Sequence, residues 1–308
     1  MRDTIQQEEG ARAPSPLAVS LAVCRQQGWG YGQRPVPWTI GKAGKPAPNR
    51  AARRRLKKKQ QRWLRTHKKK HPELSSVAAK LASCGHKRMQ DRCGHPACAW
   101  CAGAVQSLMV GVAYAFVLKQ SARAPWKTLS VILPPCDPAG EIDFKAEHER
   151  YEDLLRQARV SLGMFGLDFS YNEDQRWQLA KEERFDPHAC VHLWGLAPAA
   201  QVDAAYRLLT KMLRPTCAVP RPIKRQHFNG NPAAIAYAFK PDFTRRETIL
   251  QCRSGSNVLV RNTRKRPLRV EQAVQLILAL DQAEPSDRII LLGVKLVITG
   301  SRPRLSRC

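Results

Sequence analysis

The residues best placed to do chemistry lie on two short stretches, His188-Ala-Cys-Val-His192 and Tyr237-Ala-Phe-Lys240. Side chains of an extended strand alternate between faces, so His188, Cys190, His192 and Trp194 point one way and Ala189, Val191 and Leu193 the other. Imidazoles and a thiol, all metal-ligating groups, then share one face, and an apolar set is left to pack inward. Spacing restricts the ligand set. Residues i and i+4 of a strand stand roughly 13 Å apart at about 3.3 Å per residue, too far for His188 and His192 alone to share an ion. Neighbours at i and i+2 are about 6.6 Å apart, so a chelating pair includes Cys190, with His192 as its first partner. A third ligand is available on a neighbouring strand, where Asp168 lies in Gly166-Leu-Asp-Phe-Ser-Tyr-Asn172. Pro187 and the alternating apolar residues speak against the helical reading of the two histidines. Taken alone, the stretch reads equally well as surface histidines around a buried cysteine.

Tyr237 and Lys240, at i and i+3, would share one face of a helix. A single tyrosine on a helix is usually core. What raises Tyr237 is the lysine one turn on and the small Ala233, Ala234, Ala236 and Ala238 around it, which let a nucleic-acid backbone come close. A phenol is a poor nucleophile until a cation stabilises its anion, and Lys240 or a bound metal would supply one. Metal, tyrosine and lysine together point to phosphodiester chemistry.

A second constellation is Cys84-x8-Cys93-x4-Cys98-x2-Cys101. Zinc prefers soft ligands at the corners of a tetrahedron, and a Cys-x-x-Cys knuckle presents a pair of them from one tight turn. His86 or His95 could replace one cysteine. With four protein ligands no coordination position stays open, so the expected role is structural. The chain has ten cysteines, and in a cytoplasmic protein such thiols point to metal rather than disulfides.

The charge balance names the partner class. A formal net charge of +27 and a pI near 10.2 are the footprint of a polyanion binder. Nucleic acid is favoured over a membrane surface because the basic residues are spread along the chain as well as clustered. The densest run, 42–70, holds Arg53, Arg54, Arg55, Lys57, Lys58 and Lys59 with no acid before Glu73. It reads as a solvated tail or as a phosphate grip that is salt-sensitive and blind to sequence, with Trp63 available to stack on a base. The apolar segment 17–24 lacks the basic flank of a leader peptide. Segment 102–118 carries no charge but contains Gln106, Ser107 and many small residues, so a buried core helix is expected there. A cytoplasmic protein with no membrane partner follows.

These features need positioning elements. Strands are expected over 126–133, 165–171 and 188–194, and helices over 102–119, 147–160, 202–213 and 270–280. Asn231 and Pro232 start a short helix that Pro241 closes, which puts Tyr237 on it. An apolar stretch occupies 289–298. The organisation expected is a disordered, strongly basic arm (1–75), the cysteine knuckle with its helix (76–120), a nuclease-like domain (121–250) and a basic C-terminal extension with no role assigned (251–308).

Taken in order, the motifs resemble those of rolling-circle replication initiators, the HUH endonucleases of bacterial plasmids. Lys127-Thr-Leu-Ser130 is similar to the family's first strand motif, and Leu167-Asp-Phe-Ser-Tyr171 to the strand whose acid binds metal. His188-Ala-Cys-Val-His192 stands where the family has His-Pro-His-hydrophobic-His, and Tyr237-Ala-Phe-Lys240 matches its Tyr-x-x-Lys. Cys98-Ala-Trp-Cys101 resembles the end of a cysteine group found in several plasmid members. The resemblance covers roughly 84–245. It departs at Cys190, which occupies the first ligand histidine's place; thiolate suits zinc better than magnesium or manganese. Either the site uses Cys190, or His188 turns in, or this copy is degenerate. Asp168 stands for the family's glutamate and reaches one methylene less far.

The resemblance implies an α+β fold: an antiparallel sheet of four or five strands with helices packed on it, preceded by the zinc knuckle. It implies that Asp168, Cys190 and His192 hold a divalent cation, Mn²⁺, Mg²⁺ or Zn²⁺. Tyr237 would attack a phosphodiester, giving a 5′-phosphotyrosine and a free 3′-OH, while Lys240 neutralises the phosphate. The partner would be single-stranded or cruciform origin DNA, with recruitment of a host helicase left open. Two other readings stay in view. One is a zinc-containing nucleic-acid-binding protein without nuclease activity, a decayed initiator or an RNA-binding module. The other is a relaxase or transposase of the same nuclease class.

Overall fold

The computed structural model describes residues 14–26, 39–40, 45–46, 50–82, 84, 92–134, 142–174, 178–253, 255–299 and 302–308. The first part of the chain forms α1 (Pro16–Gln26), the two-residue strands β1 (Thr39–Ile40) and β2 (Lys45–Pro46), α2 (Arg50–His67), α3 (Leu74–Ala82) and α4 (Ala99–Ser121). The middle forms β3 (Trp126–Ile132), α5 (Phe144–Gln157), β4 (Gly163–Glu173), β5 (His188–Pro198), α6 (Ala199–Met212), β6 (Ile223–His227) and α7 (Pro232–Ala238). The last part adds β7 (Thr244–Cys252), β8 (Leu259–Arg266), α8 (Val270–Gln282), β9 (Ile289–Leu292), β10 (Val294–Thr299) and β11 (Arg302–Arg307).

The class is α+β, but the sheet corrects the expected one. Among the described residues it has seven strands, in the order β6-β3-β5-β4-β7-β8 with β9 also paired to β4, and it is mixed. Strand β7 runs parallel to β4, from Ser170↔Thr244 to Glu173↔Glu247, whereas the other pairings within the sheet are antiparallel. The cause is the route of the chain. Helix α7 carries it from the β6 edge over the sheet to the far side of β4, and β7 then runs in β4's own direction. The extra strands come from β6, whose Ile-Lys-Arg-Gln-His sequence has no apolar alternation, and from the C-terminal region. That region is part of the core: β9 pairs with β4 over Gly163–Gly166, and Ile290 and Leu292 are buried.

Both faces of the sheet are covered. Leu129, Val131, Phe165, Leu167 and Leu193 pack against Tyr151, Leu154 and Leu155 of α5 and Val202, Ala205 and Leu209 of α6. On the opposite face Trp126, Met164 and Leu196 pack against α4 and α7, with Leu21 and Cys24 of α1 joining the same cluster. Helix α4 is long and apolar enough to cross a membrane by length and composition, yet most of it is buried, as the small residues and Gln106 predict. Gln106 Nε2 donates to the Ala236 carbonyl at 2.9 Å, so this core helix holds α7 in place.

The arm expected to be disordered contains helices. In α2, Ala, Arg, Lys, Gln and Leu are strong helix formers, and Leu64 is buried against α3 and the cysteines. Lys57 is buried too, its ammonium donating to the Leu81 carbonyl at 2.8 Å and to the Cys84 carbonyl. Local repulsion along the run is thus met by docking on one face. Within α1, Ser20 Oγ donates to the Leu296 carbonyl at 3.0 Å.

Candidate functional site

The cysteine cluster is the first site the structure assembles. The sulfur atoms of Cys84, Cys93, Cys98 and Cys101 all lie within 4.8 Å of one another. Cys101 Sγ is 3.6 Å from both Cys84 Sγ and Cys93 Sγ. A zinc tetrahedron with metal–sulfur bonds of about 2.3 Å has edges of about 3.8 Å, so the four thiols can hold a metal such as zinc. His95 is occupied otherwise. Its Nδ1 accepts from the Ala97 N–H at 2.9 Å and its Nε2 meets Asp281 Oδ1 at 2.9 Å, which ties the knuckle to α8. His86 lies outside the described residues. Gln60 of α2 donates to the Ala97 carbonyl at 2.7 Å, and Lys57 holds the Cys84 carbonyl, so α2 braces the knuckle from the other side. That corrects the assignment of Lys57 to phosphate contact. Arg54, Arg55, Lys58 and Lys59 do face solvent, and Trp63 is half-buried and stacked on His67 at 4.7 Å. The Arg53 side chain is outside the described residues.

The second site sits at the middle of β4. Strands β4 and β5 pair antiparallel, with Asp168 opposite His192, Ser170 opposite Cys190 and Asn172 opposite His188. Along its other edge, β4 is partnered by β9 up to Gly166 and by β7 from Ser170. Neither reaches residues 167–169. The backbone groups facing that gap are satisfied by side chains. Arg288 donates to the Leu167 carbonyl from Nε (3.3 Å) and Nη2 (3.1 Å), and the Phe169 N–H donates to Asp168 Oδ1 at 2.8 Å. The gap thereby fixes the carboxylate.

Helix α7 lies over this place because Gly166 has no side chain. A Cβ there would stand 1.8 Å from the Ala238 carbonyl oxygen. The helix starts as the sequence predicts: Asn231 Oδ1 accepts from the Ala233 N–H at 2.9 Å, and Pro232 takes the first position. Tyr237 is held edge-on to Trp194 with ring centroids 5.0 Å apart, and Trp194 Nε1 donates to the Ala234 carbonyl at 2.9 Å. One turn on, the Lys240 ammonium lies 4.9 Å from the centre of the Tyr237 ring and 2.7 Å from Asp168 Oδ2. The Lys240 carbonyl accepts from Arg288 Nη2 at 3.0 Å.

Asp168 Oδ2 therefore sees a ring of basic groups. Besides Lys240, His192 Nε2 is 3.4 Å away and Arg246 Nη2 4.0 Å away. Arg246, from β7, also reaches His192 Nε2 at 3.3 Å and the Tyr237 hydroxyl at 3.4 Å. Burial pushes the Asp168 carboxyl up, but His192, Lys240 and Arg246 outweigh it and hold the group below the usual carboxylate range. Burial drives His192 down to about 4; Asp168 opposes the fall and Arg246, Lys240 and Lys265 add to it, so the imidazole is neutral near pH 7. Cys190 is fully enclosed and burial pushes its thiol up to about 11, with Arg246 and Asn172 pulling the other way. His188 is lowered by burial, its Nδ1 rests on the Asp186 carbonyl at 2.9 Å, and its buried Nε2 has no hydrogen-bond partner among the described residues.

Asp168, His192, Tyr237 and Lys240 are thus brought together. His188 and Cys190 share the sheet face but not the cluster. Asp168 and His192 are close enough to be two ligands of one ion. Among the described residues, however, the only set of three or more ligating side chains gathered around one point is the Cys84–Cys101 group. With the Lys240 ammonium on Asp168 Oδ2 and no third ligating side chain gathered with Asp168 and His192 among the described residues, the residues on β4 and β5 do not fit a divalent ion as they stand. No motif marks Arg246 or Arg288, since a single arginine side chain has no contrast in so basic a chain. Compared with protein-family models, with curated proteins and with solved structures, the chain matches none.

Proposed function

We propose that the protein is a tyrosine-dependent DNA endonuclease of the replication-initiator kind, nicking single-stranded or cruciform origin DNA. The observation that carries this reading is convergence. Side chains that the sequence singles out on separate elements, Asp168 on β4, His192 on β5, Tyr237 on α7 and Lys240 after it, meet around one carboxylate oxygen and one phenol. In the proposed reaction the Tyr237 oxygen bonds to phosphorus and the bond from phosphorus to the 3′ oxygen breaks. The proton lost by the phenol is matched by the one the 3′ oxygen takes up, leaving a 5′-phosphotyrosine and a 3′-OH able to prime synthesis. Lys240, oriented by Asp168, offsets the phosphate charge, and the closed gap in β4 keeps that carboxylate from moving. The basic exposed face of α2 and the knuckle beside it would hold the strand.

The test is a covalent protein–DNA adduct on a denaturing gel, formed by the wild type and absent from Tyr237→Phe. A second reading is favoured by one observation, the enclosed protonated Cys190 in a place where the resemblance puts a ligand. It is a zinc-containing nucleic-acid-binding protein with no nicking activity, and it predicts binding without an adduct under every divalent ion.

A further inference from the structure

Arg246 lies just beyond the stretch over which the resemblance holds, yet its guanidinium makes the closest polar contact to the Tyr237 hydroxyl among the described residues, 3.4 Å from Nη2. The same nitrogen is 3.3 Å from His192 Nε2 and 4.0 Å from Asp168 Oδ2. These distances divide the labour at the site. The Asp168 carboxylate is matched most closely by the Lys240 ammonium at 2.7 Å, with Arg246 the more distant cation at 4.0 Å. Among the described residues the buried Arg246 Nε has no hydrogen-bond acceptor, which leaves the guanidinium with unused donor capacity. Lys265, the register partner of Arg246 on β8, adds a further cation at the rim, its charge disfavoured first by burial and then by Lys240 and Arg246. Lys240, Arg246 and Lys265 face one buried acid, with Asp242 as a more distant one. The surplus is positive and sits around a hydroxyl. Such a place stabilises an oxyanion and receives an anion.

Resting on the nuclease reading above, we infer that Arg246 is a catalytic residue: it offsets the negative charge that develops on the Tyr237 oxygen as it attacks and on the phosphoryl oxygens of the phosphodiester under attack. The planar fork can hold the phenol oxygen and a phosphate oxygen at once, which an ammonium cannot do with the same geometry. Helix α7 (Pro232–Ala238) carries no cation that could replace it. The strand pairing Asn172↔Arg246 fixes its position from the backbone.

Two measurements test this, one with DNA and one without. The first is the rate of adduct formation with single-stranded DNA for wild type, Arg246→Ala and Arg246→Lys. The expected loss in Arg246→Ala is about 100-fold, the scale of one lost oxyanion donor, with partial recovery in Arg246→Lys. The second is labelling of Tyr237 by an aryl sulfonyl fluoride, read by peptide mass spectrometry. There the phenol oxygen bonds to sulfur, fluoride leaves and the proton goes to water. Labelling should fall by about tenfold in Arg246→Ala, because the donor that offsets the charge building on the phenol oxygen as it bonds to sulfur is gone, while Tyr206 labels as before. Unchanged labelling and an adduct rate within about threefold of wild type would overturn the role of Arg246 and leave nicking in place. A wild type that forms no adduct, with labelling still dependent on Arg246, would overturn nicking and leave the activation of Tyr237 standing. Should Arg246→Ala not fold, Arg246→Lys carries both readouts.

Discussion

Gly166 and Tyr237 are coupled although neither motif contains both. An alanine at 166 would place its Cβ 1.8 Å from the Ala238 carbonyl oxygen, backbone that cannot swing aside as a side chain could. Gly166→Ala is therefore expected to destabilise the fold by about 1–3 kcal/mol, the usual range for overpacking, and to lift α7 off Asp168. Thermal unfolding checks the first effect and the fluorescence of Trp194, now without its ring partner, checks the second. At this scale the sequence is legible where residue type and spacing coincide. Asp168, His192, Tyr237 and Lys240 stand out because carboxylate, imidazole, phenol and amine recur at strand or helix spacing among apolar neighbours. Cys190 stands out too, but its chemistry depends on enclosure, which spacing does not reveal. Arg288 and Lys57 are invisible for a different reason. Each is an ordinary basic residue whose meaning comes from carbonyls, those of Leu167 and Lys240 or of Leu81 and Cys84, that only the folded chain brings within reach.

Among the elements, those with a local cause were readable and those with a distant cause were not. Helix α7 has its cap and its proline in sequence, and β3, β4 and β5 have their apolar alternation. The parallel pairing of β7 with β4 arises from a helix crossing the sheet, which no local pattern encodes. Helix α2 reads as a repelling tail until Leu64 and Lys57 find α3 and the cysteines. The knuckle lies between these parts. It is braced by Gln60 and Lys57 of α2, and by Asp281 of α8 through His95. Helix α8 in turn presents Val274 and Ile277 to the knuckle cluster and Leu276 and Leu280 to Phe169, the residue next to Asp168. Metal content should be about one zinc per chain. Its removal by a chelator, or Cys98→Ser, should lower the thermal midpoint and speed proteolysis within α2 and α3. A chelated protein with an unchanged midpoint would mean that the thiols pack without needing an ion.

For the molecule as a whole, the C-terminal region is the largest gap between sequence and structure. It supplies Arg288, Lys265 and β9 to the site and to the sheet around it, so a chain cut near residue 250 would lose the support of Asp168. Charge acts at this scale as well. Arg54, Arg55, Lys58 and Lys59 form an exposed basic face on α2. Replacing them together with alanine should weaken single-stranded DNA binding alike for all sequences. The salt dependence should flatten by about 0.7 per lost phosphate contact. The measurement that tests the central claim most directly is the adduct itself. Purified protein is incubated with single-stranded DNA carrying the origin of its own replicon, with Mn²⁺, Mg²⁺, Zn²⁺ or a chelator, and resolved on a denaturing gel beside Tyr237→Phe. A covalent product that disappears in the phenylalanine variant is the predicted result. Tight binding with no covalent product under any of these conditions, or a product that survives Tyr237→Phe, would contradict it.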